Sequence, residues 1–190
     1  MKVCKRRKNL KPWATAIVRR GLQIPLEISV SQWADRSRRL DPLTSAEPGP
    51  WDTNRTPYLK EIMDSFADPA IEDITIMAST QVGKTEALLN KLGYTIDEDP
   101  GPALWVTARI EDIKTIAIDR IKPMIDLSPT LRAHKTVYSD DMSKSGIKLE
   151  NMILYMAGSN SPAGLSSRPI RYLFMDELDK YPHFSGKEAD

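Results

Sequence analysis

Gly83-Lys84-Thr85 and Asp176-Glu177 are the residues in this sequence whose types and spacing can do chemistry. The first group closes the run Ala78-Ser79-Thr80-Gln81-Val82-Gly83-Lys84-Thr85, in which four free residues separate a loop residue from Gly-Lys-Thr. A loop of this length wraps phosphates with backbone N–H groups, and the helix that follows turns its positive end toward them. Gly83 lets the backbone approach closely, Lys84 reaches the β- and γ-phosphates, and the Thr85 hydroxyl ligates Mg²⁺. Ala78 stands where such loops usually carry their first glycine, which weakens the pattern on its own. The second group ends the apolar run Arg171-Tyr172-Leu173-Phe174-Met175. Asp176 is then placed to hold Mg²⁺ near Thr85, and Glu177 to accept a proton from an attacking water. ATP and Mg²⁺ are therefore the expected ligands.

Both groups need elements to position them. Ile71–Ala78 reads as a strand leading into the loop, and a helix from Lys84 to about Leu92, stopped by Gly93, leads out of it. Residues 102–107 and 171–175 read as buried strands, with Glu111–Ile125 a helix between them by its apolar spacing. Residues 146–150 and 152–157 read as two strands joined at Glu150-Asn151. Earlier in the chain, a short helix is expected over 31–39, capped by Ser29 or Ser31. Residues 41–57 are loop, rich in Pro and Gly, and a helix follows from Pro57. Strands alternating with helices predict an α/β fold with a largely parallel sheet, flanked by helices, in which the acidic strand lies beside the strand that precedes the loop.

Bulk properties narrow the class. The 190 residues suit one domain plus a tail, and 41% hydrophobic content is enough for a core. The formal net charge of +1 hides an asymmetry. Residues 1–40 hold eleven basic side chains against Glu27 and Asp35, a net +9 that leaves the rest near −8. Such an arm fits contact with DNA or an acidic partner, or equally a solvated tail. The single cysteine, Cys4, excludes an internal disulfide and fits a reducing compartment. No apolar run reaches a membrane span, so no membrane contact and a soluble protein are expected. His134 and His183 have no partner at metal-ligand spacing and read as surface or loop residues, Asp140-Asp141 could bind a cation or cap a turn, and Glu111, Asp112 and Asp119 read as a solvent face. For adenine, Trp51 or Tyr58 could stack on the base and Arg55 could steer the nucleotide, although Tyr58 suits a core role equally well.

Taken together these residues resemble the large subunit of tailed-phage terminases, the lambda-type GpA group. The similarity runs from about Val30 to the C-terminus. It is carried by Pro50–Asp64 (PWDTNRTPYLKEIMD), Ser79–Glu86 (STQVGKTE), Asp119–Ile125 (DRIKPMI) and, most specifically, Gly158–Pro182 (GSNSPAGLSSRPIRYLFMDELDKYP). The resemblance implies an ASCE-type P-loop ATPase with its phosphate loop at 78–85, Mg²⁺ at Asp176 and catalysis at Glu177. It also implies pumping of double-stranded DNA in the host cytoplasm, with the terminase small subunit, the procapsid portal and further copies of the chain as partners. The basic arm at 1–40 would dock the small subunit, and residues 41–190 would form the ATPase domain. Two departures stand out. No Arg or Lys precedes Lys84 in the loop, so Arg168, Arg171 or a neighbouring subunit would have to supply the trigger for hydrolysis. The sequence given also stops soon after Glu177, which implies an incomplete ATPase sheet with an uncovered apolar edge, marginal stability, and no nuclease activity. A helicase-like ATPase and an inactive nucleotide-binding remnant are the alternative expectations.

Overall fold

The computed structural model describes residues 28–136, 142–143, 146–166 and 168–182. Most of the basic arm, Asp140-Asp141 and His183 lie outside them. The first element is helix α1 (Val30–Ser37), which starts where Ser29 and Gln32 form a reciprocal capping box. The helix expected to reach Arg39 ends at Ser37, and strand β1 (Arg39–Leu40) pairs antiparallel with β2 (Gly49–Pro50), which lies inside the stretch read as loop. A 3₁₀ turn at Pro57–Leu59 then feeds α2 (Lys60–Ser65).

Helix α3 (Lys84–Asp97) follows the loop residues 78–83, and β3 (Ala103–Thr107) follows it. A continuous helical stretch comes next: α4 (Asp112–Thr115), a π segment at Ile116–Ile121, and α5 (Lys122–Leu127). After α6 (Pro129–Arg132) come β4 (Met142–Ser143), β5 (Gly146–Lys148), β6 (Ile153–Gly158), α7 (Pro162–Leu165) and β7 (Tyr172–Met175). The main sheet has the order β4-β5-β6-β3-β7, in which β3 runs parallel to both β6 and β7 and the β4–β5 side is antiparallel.

Strand β3 (ALWVT) is buried along its whole length, as expected of a central parallel strand covered on both faces. Ala103 and Trp105 join Phe174, Leu89, Leu92, Ile96, Ile121 and Ile125 in the main core, where Trp105 stacks on Phe174 at 5.5 Å. The opposite face carries a smaller cluster of Leu104, Val106 and Ala157, packed against Tyr155 and Tyr181. On that face Leu173 and Met175 of β7, in register with Leu104 and Val106, are half exposed.

The structure corrects four expectations. Ile71–Ala78 is not a strand: it is mostly exposed, and Met77 is 96% exposed. It has strand-forming residues but no ladder partner among the described residues, and strand propensity is realised through pairing. The acidic strand β7 therefore neighbours β3 rather than that segment. Helix α3 does not stop at Gly93 but runs to Asp97. Residues 30–40 do not belong with a free arm, because Val30, Trp33 and Ala34 are fully buried in the main core.

One core residue makes stability depend on pH. Lys91 is 7% exposed, with Nζ 5.0 Å from the Tyr94 ring centre and 4.9 Å from that of Tyr172. Burial pushes its ammonium down to about 8, against the opposing pull of Asp99. The folded state thus disfavours the charged form, a cost borne in full below pH 8 and relieved as pH rises toward the unfolded value near 10.4. Tyr94 and Tyr172 titrate upward of their usual value, mainly through burial, which ends the gain near pH 10. Lys91→Met should therefore be more stable at pH 7 by about 1–2 kcal/mol, after the lost cation–π contacts are set against the relieved burial. Urea midpoints from pH 7 to 10 should show that difference shrinking.

Candidate functional site

The loop residues and the acidic strand end meet. The Thr85 hydroxyl donates to the Asp176 carboxylate, 3.0 Å from Oδ2 and 3.2 Å from Oδ1, across 91 positions of sequence. Two elements make this contact. Helix α3 carries Thr85 in its first turn, and β7 ends at Met175, so Asp176 stands just past the carboxyl end of the sheet with its N–H bonded to Val106 O.

Gly83 caps α3 with φ 85, a left-handed backbone that glycine adopts without a Cβ penalty, and a Cβ there would lie 3.0 Å from Leu59. No side chain caps the helix, so its first N–H groups remain available to an anion. Lys84 Nζ donates to the carbonyls of Ala78 at 2.8 Å and Ser79 at 3.0 Å, curling the exposed loop through Thr80, Gln81 and Val82 around its own ammonium. Gln81 (φ 58) and Glu177 (φ 54) are the two non-glycine residues with left-handed backbone among those described, and both belong to this site. Such strain gathers at functional sites.

Burial pushes the Asp176 carboxyl above the ordinary aspartate range, and the Glu177 charge adds to this. The Thr85 hydroxyl, the Glu177 N–H and the more distant Lys84 oppose it only in part. A cation would supply the missing countercharge. The donor set is a hydroxyl and a single carboxylate, and no cluster of three or more His, Cys, Asp or Glu exists among the described residues. That suits Mg²⁺, which keeps waters and takes phosphate oxygens rather than filling a protein cage.

The helix behind the loop is firmly held. Glu86, next to Thr85, accepts from the buried Arg38 at 2.9 Å and from Arg120 at 3.3 Å, while Arg38 also donates to Asn90 Oδ1 at 3.2 Å. Arg38, counted by sequence among the charges of the arm, is thus spent inside the fold and is 4% exposed.

Other sequence candidates scatter. Trp51 is buried and donates to Thr53 Oγ1 at 3.0 Å, a core role that leaves no ring face for adenine. Tyr58 is 57% exposed, which removes its core role and keeps a ring free beside Leu59, the residue touching Gly83. Arg55 is exposed and paired with Glu47. Arg168 stacks on the Tyr155 ring at 4.8 Å, on the sheet face of the smaller cluster, and one of its guanidinium nitrogens is buried without an acceptor. Arg171 pairs with Asp99 at the start of β7. A four-residue strand, about 13 Å at 3.3 Å per residue, separates it from Asp176, so it does not reach the loop from there. His134, expected at the surface or in a loop, lies in a turn, partly buried and bonded to Asp97 at 3.3 Å. Sequence reading missed Lys180, which pairs with Glu177 at 2.7 Å, and Tyr181, whose hydroxyl donates to Val106 O at 2.8 Å. The available signal was the three-residue spacing of Glu177 and Lys180, which becomes a contact once a 3₁₀ turn forms.

A mixed α/β layer with a loop–helix junction set against an acidic strand end is consistent with a nucleoside-triphosphatase fold. The family model described as phage terminase large subunit gpA, ATPase domain, matches residues 45–190. The chain therefore belongs to that family. It is also similar to the terminase large subunit of Enterobacteria phage P21, 32% identical over 77 residues that make up 40% of this chain and 12% of that protein. No described helix is long and apolar enough to cross a membrane.

Proposed function

We propose that this chain is the ATP-binding and ATP-hydrolysing motor domain of a phage DNA-packaging terminase large subunit, built as an ASCE-type P-loop ATPase. The observation that carries the reading is the contact between Thr85 and Asp176, since these two groups would hold Mg²⁺. Backbone N–H groups of residues 78–83 and the start of α3 bind the phosphates, and Lys84 leaves the carbonyls of Ala78 and Ser79 to neutralise them. Bound Mg²⁺ supplies charge stabilisation at the transferring phosphoryl oxygens. Glu177 orients water and takes its proton. Tyr58 offers a ring to the base, with Arg55 the more remote candidate. Arg168, or an arginine from a neighbouring copy, supplies the trigger. Double-stranded DNA, the terminase small subunit, the procapsid portal and further copies of the chain are the partners, in the host cytoplasm.

The test is ATP turnover with and without Mg²⁺ and double-stranded DNA. Thr85→Ala and Asp176→Asn should each reduce Mg²⁺-dependent turnover by at least about tenfold. Turnover indifferent to both substitutions would overturn the site, and strand unwinding would favour a helicase over a packaging motor.

A further inference from the structure

We propose that Lys180 is a positioning residue: in the nucleotide-free chain its ammonium latches the Glu177 carboxylate in a resting position, and seating of nucleotide with Mg²⁺ releases it. The inference rests on the reading of Glu177 as the group that takes a proton from water.

Asp176 and Glu177 are adjacent carboxylates with different partners. Asp176 is bonded to Thr85, whereas Glu177 Oε1 is bonded to Lys180 Nζ at 2.7 Å. The backbone favours that second pairing. Glu177 has φ 54 and ψ 44, a left-handed conformation that L-residues rarely adopt. From there the chain enters the 3₁₀ turn Leu178–Lys180, with the Lys180 N–H bonded to Glu177 O at 2.9 Å. Residues three apart eclipse in such a turn, which brings the ammonium over the carboxylate. The turn cannot drift, because Tyr181 bonds through its N–H to Leu178 O at 3.1 Å and through its hydroxyl to Val106 O at 2.8 Å. Val106 O also accepts the Asp176 N–H, so one carbonyl of β3 fixes both ends of the acidic segment.

A carboxylate oxygen occupied by an ammonium is not free to accept a proton from water. The pair is about half exposed on both sides, so it biases rather than locks, as a reversible latch requires. Lys180 also lies within electrostatic reach of Asp179 and of Asp112 at the start of α4, which gives it carboxylates to turn to on release.

Side-chain carboxylate ¹³C NMR tests the latch without relying on turnover, with the Glu177 resonance assigned by its loss in Glu177→Gln. In the nucleotide-free chain, Lys180→Met should move that resonance. Adding Mg²⁺ with a non-hydrolysable ATP analogue to the wild type should move it the same way. In turnover, Lys180→Met should raise basal kcat about two- to five-fold, the bias an exposed ion pair can exert, with KM for ATP unchanged. Lys180→Arg should restore wild-type values. A resonance unmoved by Lys180→Met or by the analogue, or a kcat that is unchanged or falls, overturns the latch. Full turnover in Glu177→Gln would instead remove the reading beneath it.

Discussion

A Glu177→Gln protein should bind Mg²⁺–ATP as the wild type does and hydrolyse it about 10²- to 10⁴-fold more slowly, the range that general acid–base groups contribute. Glutamine keeps the size and one carbonyl acceptor but cannot take a proton from water. Glu177 makes no bond to the loop residues 78–85, so substrate binding has no reason to change. Lys84→Ala should show the opposite division. It removes the one ammonium held inside the loop, by the Ala78 and Ser79 carbonyls, and with it the countercharge for the terminal phosphates. Affinity should fall first, and turnover with it. Equilibrium binding of a fluorescent ATP analogue beside phosphate-release kinetics separates the two. The pairing of outcomes matters more than either alone, because an interaction made only in the transition state lowers kcat without raising KM. A Glu177→Gln protein that still turns over at the wild-type rate would exclude it as the base. Nucleotide binding without turnover in the unsubstituted chain would point to a nucleotide-binding remnant.

The meeting of the two candidate groups was legible in the sequence because each lies in a short, local string. Ala78–Thr85 and Asp176-Glu177 each state their own geometry, and the structure joins them by one contact, Thr85 to Asp176. Strand β3 was equally legible, since an unbroken apolar run bounded by Pro102 and polar residues has few other readings. What failed was whatever depends on a distant partner. Ile71–Ala78 has the composition of a strand, yet a strand exists only through its neighbour, and the residues carry no information about which edge they would join. Trp51 resembled a base-stacking ring and is a core residue: its indole N–H donates to Thr53 two positions on, but the residues that bury the ring in the main core are distant in sequence. Arg38 counted as surface charge in the composition, while in space it meets Glu86 and Asn90, about fifty positions away. The tie between Lys180 and Glu177 was hidden for a subtler reason. A spacing of three has no special meaning until the left-handed backbone at Glu177 starts a 3₁₀ turn.

Gly93 was misread for the same reason, and it supports the second large prediction. Its position near the end of an apolar run suggests a helix stop, but it lies inside α3 and serves a close approach. A Cβ there would lie 2.1 Å from Trp33 Cη2 and 2.7 Å from Cζ3, so the indole of α1 occupies the notch that the missing side chain leaves. Trp33 is fully buried and donates from its indole nitrogen to Asp97 Oδ2 at 2.8 Å, one turn further along the same helix. Trp33→Ala should therefore cost about 3–5 kcal/mol, or a fall in Tm of about 6–20 °C for a chain of this size. Gly93→Ala should also destabilise, by about 1–3 kcal/mol, because the buried ring has nowhere to move. The diagnostic case is the double variant. With Trp33→Leu in place the notch is relieved, and Gly93→Ala should then stabilise by about 0.5–1 kcal/mol, since alanine is the better helix former. A sign that does not reverse would mean that Gly93 is needed for its backbone and not for the ring. Because α3 carries Thr85 at its other end, the prediction extends to the site. If α1 sets the seat of α3, the stabilisation of the chain by an ATP analogue should weaken in Trp33→Ala and be retained in the double variant.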